Sequence, residues 1–170
     1  VQKLYENQSG RKISLPYGVE ALRCYEGVKL QKKTEEVSER TEEVQELNME
    51  GTTSWVNESF RTRIFPYSGE KILEKKYTKW FDCDKINCEL SVRTRRSGDY
   101  MIVNQSGGRK KLTRCMIDDK IPGEIRQEIP LVAAKDEILW IVGGRISERY
   151  KITSQTEKVL EITYQGGSIE

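Results

Sequence analysis

Leu131-Val-Ala-Ala134 and Glu137-Ile-Leu-Trp-Ile-Val142 flank the dipeptide Lys135-Asp136, and the second arm holds the longest apolar run of the chain, Ile138–Val142. Two apolar arms around a short polar turn read as a β-hairpin. Trp140 lies inside one arm, so it reads as core rather than as an exposed stacking surface. A helix needs roughly 20 apolar residues to cross a bilayer, and this run falls far short. No signal-peptide pattern opens the chain. These features lead to the expectation of a soluble, cytoplasmic protein with no membrane partner.

Outward from the hairpin, the residues on its N-terminal side change period. Leu112, Cys115 and Met116 recur at helical spacing within Lys110–Lys120. Pro122 suits the first turn of a second short helix through Gln127, so the spacing predicts a two-helix segment around 110–128. Before it, Cys88–Thr94 and Tyr100–Val103 read as strands, separated by the turn Ser97-Gly-Asp99 and followed by the loop Gln105-Ser-Gly-Gly108. After the hairpin, Gly143-Gly144 breaks the chain and Lys158–Tyr164 reads as a last strand. In the N-terminal half, short strands are expected at Lys12–Leu15, Val19–Tyr25, Val28–Leu30, Val44–Met49, Phe60–Phe65 and Tyr77–Cys83, punctuated by Gly and Pro. The expected fold class is α+β with mostly antiparallel strands. Two regions are expected: a β-rich lead-in over 1–87 and an α+β domain over 88–165. Thr34–Glu50 carries seven Glu against Arg40. It reads as a solvated acidic connector near 33–43 that leads into a strand, with a short acidic helix as the competing reading.

The net charge is only +2, but its distribution is uneven. Residues 1–87 carry 15 basic and 15 acidic side chains, and residues 88–151 carry 13 and 9. From Arg93 to Arg114 there are seven basic residues (Arg93, Arg95, Arg96, Arg109, Lys110, Lys111, Arg114) and one acid, Asp99. Arginine offers a planar fork of donors that matches phosphate oxygens. Such a stripe is the footprint of a polyanion site. With Arg145 and Arg149 these residues are expected to form one positive face. Asp99 reads most simply as a cap of the turn or a pair with a neighbouring Arg, and surface ion pairing is the reading of Asp82, Asp84, Asp118 and Asp119 beside Lys85 and Lys120. Among the aromatics, Tyr67, Tyr100 and Tyr150 could stack on bases, and Trp55, flanked by Thr and Ser, is the best exposed candidate.

Several chemistries lack their residues. The chain has no His, which removes the commonest general base. The four cysteines, Cys24, Cys83, Cys88 and Cys115, read as reduced thiols, and only Cys83 and Cys88 are close in sequence. Ser106-Gly-Gly-Arg-Lys-Lys111 lacks the spacer of a nucleotide-binding P-loop. It also lacks the acid of a pyrophosphatase-type loop, since Lys110 and Lys111 stand in those places. The preferred reading lets Gly107, Gly108 and a helix start bring Arg109, Lys110 and Lys111 to an RNA backbone. No catalytic residue, metal or cofactor is assigned.

Val92-Arg-Thr-Arg-Arg-Ser-Gly-Asp99, Arg109-Lys-Lys-Leu112, Asp119-Lys-Ile-Pro122, Arg126, Ile129-Pro-Leu131, Ile138-Leu-Trp140 and Gly143-Gly-Arg-Ile-Ser-Glu-Arg149 together resemble the C-terminal domain of bacterial tRNA(Ile)-lysidine synthetases. Trp80–Lys85 and Ile13–Gly18 resemble the segments that lead into it. Ser97 departs from the pattern, where Pro is usual. The resemblance implies a fold similar to a domain of the phenylalanyl-tRNA synthetase β chain. It implies contact with the acceptor stem of tRNA(Ile) and help in telling it from tRNA(Met). It further implies that ATP and Mg belong to an N-terminal catalytic domain with a Ser-Gly-Gly-x-Asp-Ser loop, which converts the wobble cytidine to lysidine. That domain would be a partner of this chain, and a homodimer is compatible with the resemblance. The start at Val1 is read as that of a fragment. A structural or dimerisation module without RNA contact is the alternative.

Overall fold

The computed structural model of the chain describes residues 11–16, 19–32, 43–72 and 74–166. The acidic connector expected near 33–43 lies outside these residues, apart from Glu43. Among the described residues, three strands open the chain as an antiparallel sheet: β1 (Lys12–Leu15), β2 (Val19–Arg23) and β3 (Val28–Lys32). The loop after β2 reaches the rest of the molecule, where the Tyr25 hydroxyl lies 3.4 Å from the Ile117 carbonyl and 3.3 Å from Arg126 Nη2.

Two larger sheets follow. One has six strands in the order β10-β9-β12-β11-β8-β4. These are β4 (Gln45–Glu46), β8 (Ser91–Arg93), β9 (Tyr100–Ile102), β10 (Arg109–Lys111), β11 (Leu131–Ala134) and β12 (Glu137–Ile141). The other has four strands in the order β5-β6-β13-β7. They are β5 (Gly51–Trp55), β6 (Glu58–Pro66), β7 (Thr78–Asp82) and β13 (Lys158–Gln165). Among the described residues all strand pairings are antiparallel except the contact of β12 with β9.

The hairpin β11–β12 is the centre of the molecule, and every residue of both strands is buried. Its two faces serve different cores. Leu131, Ala133, Ile138 and Ile141 pack with Met101, Leu112, Cys115 and Met116. Val132, Ala134, Leu139 and Trp140 pack with Phe60, Phe81, Leu160 and Ile162 of the four-stranded sheet. Covering a sheet on both faces explains an unbroken apolar run where a half-exposed strand would alternate. One irregularity allows both Leu139 and Trp140 to face the same core. Val132 pairs with Trp140 and Ala133 with Ile138, which leaves Leu139 as the extra residue of a bulge.

One helix, α1 (Leu112–Asp118), covers the other face with Leu112, Cys115 and Met116 buried. The two-helix segment expected around 110–128 is therefore corrected at both ends. Arg109–Lys111 is extended because its backbone completes a ladder with β9. The backbone of residues 122–129 is held by turn hydrogen bonds, Ile125 N to Pro122 O, Glu128 N to Ile125 O and Ile129 N to Ile125 O. Ile125 is 42 % exposed, so that segment has too little apolar surface to hold a helix against the sheet.

Strand pairing crosses the division at 87/88. Strand β13 hydrogen-bonds to β6 and β7, and β4 pairs with β8. Trp55, read as an exposed stacking candidate, is buried in β5, and its indole N–H donates to the Glu43 carbonyl at 2.6 Å. The free cysteines differ in setting: Cys115 is buried, Cys24 and Cys83 are half-buried and Cys88 is exposed. No helix among the described residues is long and apolar enough to cross a membrane.

Candidate nucleic-acid interface

The basic residues of the sequence stripe fall into three groups. The first sits on the edge strand β10, whose burial alternates exposed, intermediate, exposed. Successive side chains of a strand point to opposite faces, so Arg109 and Lys111 share one face and Lys110 takes the other. The guanidinium of Arg109 lies over the ring of Tyr100, 4.6 Å from its centroid. The Tyr100 hydroxyl is 3.3 Å from Glu137 Oε2, and Arg149 Nη1 is 3.2 Å from the same oxygen. Glu137 is buried, and burial, with this carboxylate beside it, pushes the Tyr150 hydroxyl up to about 12. In this group Arg149 and the Tyr100 hydroxyl share the Glu137 carboxylate, and Arg109 rests on the Tyr100 ring. Neither Arg109 nor Lys111 has a carboxylate partner among the described residues.

The second group lies on the helix side. Lys110 pairs with Asp118, Arg114 Nε is 3.6 Å from Asp118 Oδ1, and Arg145 makes a two-pronged contact with Asp119. A hydrogen bond from Lys110 holds the Asp118 carboxyl below its usual range, and Asp119 raises Arg145 in the same manner. These three cations are largely matched by two acids. Arg145 and Asp119 also line an open groove of about 1000 Å³, whose walls include Ile121, Ile125, Ile129 and Tyr77. Arg109, Lys111 and Arg149 do not line it.

The third group is the turn after β8. Arg93 is 2 % exposed and makes a bidentate pair with buried Asp99 at 2.8 and 2.9 Å. The structure therefore corrects the expectation that Arg93 joins a surface face, because its guanidinium is spent inside the protein. Arg95 is half-buried and faces the side-chain amide of Gln127. The Arg96 side chain is exposed, while its backbone N–H donates to Asp99 at 2.8 Å.

The glycine loop leads into strand β10 and not into the helix start expected there. Gly107 N donates to Asn104 O at 3.1 Å and Gly108 N to Asn104 Oδ1 at 2.8 Å. Those amides close the β9–β10 hairpin and are not available to cradle a phosphate. The loop contributes by delivering Arg109 and Lys111 to a sheet edge. Two residues of this surface were not marked by the sequence. Exposed Lys135 occupies the β11–β12 turn with φ of 57°, and Glu137 organises Tyr100 and Arg149 from below. Only the polar interruption of an apolar hairpin could have flagged them.

Comparison with known proteins matches residues 90–162 to a family model described as the TilS substrate C-terminal domain. The tRNA(Ile)-lysidine synthase of Caldanaerobacter subterraneus subsp. tengcongensis is 37% identical over 96% of this chain and 35% of its own length. The tRNA(Ile)-lysidine synthase of Clostridium perfringens is 32% identical over 96% of this chain and 37% of its own length. The chain thus spans about a third of the length of these curated relatives. A solved structure described as the TILS C-terminal domain superposes with a TM-score of 0.61 at 26% identity, covering 74% of this chain and 98% of that one.

Proposed function

Residues 90–162 belong to the TilS substrate C-terminal domain family, and from that premise we propose that this chain is the tRNA-gripping part of a tRNA(Ile)-lysidine synthase. The observation that carries the reading is the edge strand β10. It sets Arg109 on the Tyr100 ring and Lys111 on the same face, with Arg149 nearby and, among the described residues, no carboxylate opposing the first two. A-form RNA is recognised mainly through phosphates, 2′-hydroxyls and shape, and this surface supplies cations at a rigid sheet edge. Arg96 and Lys135 extend it around the β11–β12 turn.

The partner in this reading is the acceptor stem of tRNA(Ile). The ATP and Mg that activate the wobble cytidine, and the lysine that is joined to it, are handled in the cytoplasm by a catalytic domain outside this chain. The test is binding of tRNA(Ile) with a CAU anticodon across a salt series, with tRNA(Met) in parallel. Each phosphate contact steepens the plot of log affinity against log salt by about 0.9. A slope of about −3 or steeper, with tighter binding of tRNA(Ile), is expected. Absence of binding at low salt, together with salt-insensitive self-association, would overturn the reading in favour of a dimerisation module.

A further inference from the structure

Arg93 and Asp99 form a buried ion pair that touches no surface, with side chains 3 % and 0 % exposed. Such a pair is a poor device for stability, because desolvating two charges cancels most of their attraction. Its hydrogen bonds say what else it does. Besides the two bonds to Asp99, Arg93 Nη1 donates to the Thr94 carbonyl at 3.0 Å and Nη2 to the Lys135 carbonyl at 2.6 Å. Asp99 in turn accepts from the Arg96 N–H, and its own carbonyl accepts from Leu112 N at 2.9 Å. Next to it, Tyr100 N donates to the Asp136 carbonyl at 3.0 Å. Gly98, with φ of 93°, gives the turn between the two charges its left-handed residue.

We propose that Arg93 and Asp99 are positioning residues. The pair clamps the Arg95–Arg96 turn, the Lys135 turn and the start of the Tyr100 strand into one preorganised cationic edge, so that the chain meets its polyanion without first ordering these segments. This rests on the tRNA-binding reading above. A preorganised site loses less entropy on binding, which is the return on burying two charges.

The test separates positioning from charge. Asp99→Asn removes a carboxylate, so electrostatics alone predicts tighter tRNA binding. Positioning predicts weaker binding, by about 10- to 60-fold near 0.1 M salt, with a slope shallower by about one to two, as when one or two phosphate contacts are lost. The double variant Arg93→Met/Asp99→Asn keeps the net charge and leaves no unpaired buried charge. It is expected to weaken binding by a similar factor when measured well below its Tm, with folding checked by circular dichroism. Amide exchange of the wild-type chain gives a reading independent of folding in the variants, with the Arg96 N–H expected to be protected before tRNA is added. Wild-type or tighter binding by either folded variant, or an Arg96 amide protected only after tRNA binds, overturns the clamp. If the wild-type chain itself fails to bind tRNA, the tRNA-binding reading falls instead.

Discussion

Arg109 and Lys110 are neighbours in sequence with the same charge, yet the structure predicts opposite consequences for removing them. Arg109 is exposed beside Tyr100 on one face of β10, and Lys110 is tied to Asp118 on the other. On the tRNA-binding reading, replacing Arg109 by Ala should cost one phosphate contact and flatten the salt slope by about 0.9, which amounts to an affinity loss of about eightfold at 0.1 M relative to 1 M. Stability should fall by no more than about 1 kcal/mol, the size of an exposed cation–π contact. Lys110→Ala removes an equal charge on the far face of the sheet. At 0.1 M salt the Debye length is about 10 Å, so most of its field does not reach RNA on the opposite face. Its affinity change should stay below about twofold, and loss of a surface pair should cost about 0.2–1 kcal/mol. Fluorescence anisotropy of labelled tRNA from about 50 to 300 mM salt resolves slopes of this size. Equal slopes and equal affinities for the two variants would refute the face assignment, and with it the placement of RNA on the Tyr100 side.

Phe81 is fully buried, with its ring centroid 6.3 Å from that of Trp140 across the two sheets. Phe81→Ala should lower the free energy of unfolding by about 3–5 kcal/mol in urea titration, and a loss under 1 kcal/mol would mean that the sheets do not pack as described. Glu161 accepts from Arg63 Nε at 2.7 Å and from Trp80 Nε1 at 2.7 Å. The hydrogen bond from Arg63 is the main cause that holds its carboxyl below the usual value of 4.5. Its folded pKa is thus depressed, so its contribution is present above pH 4.5 and is lost as pH falls through the folded value. Glu161→Gln should therefore flatten the acid limb of stability below that pH, by up to about 1 kcal/mol for a pair exposed on the Arg63 side. An unchanged acid limb in thermal melts would contradict it.

Much of the framework was legible because it is local. The apolar arms around Lys135-Asp136 form the hairpin, and the strands at Lys12–Leu15, Phe60–Phe65, Tyr77–Cys83 and Lys158–Tyr164 lie where alternation and punctuation put them. Strand β5 was missed because Gly51–Trp55 carries only Thr and Ser between its ends and borrows its strand character from β6. The Lys110–Lys111 part of β10 was read as helix because it precedes a true helical stripe and has no apolar residue of its own to set a period. Its extended form depends on the β9 ladder.

By itself the sequence determined the α+β class, the central hairpin, the lack of any histidine and the basic character of residues 93–114. These follow from residue type and short-range period, which operate over a few neighbours. Which cations face outward was decided only by tertiary structure. Arg93 turns inward because Asp99 and the Lys135 carbonyl, 6 and 42 residues away, converge on its guanidinium. Lys110 and Arg145 are matched because helix α1 ends in Asp118 and is followed by Asp119 beside them. Arg109 and Lys111 have no carboxylate partner among the described residues, because the acids near their strand are engaged elsewhere or lie on its other face. Charge is a property of the residue, whereas its availability depends on what the rest of the chain brings within hydrogen-bonding distance.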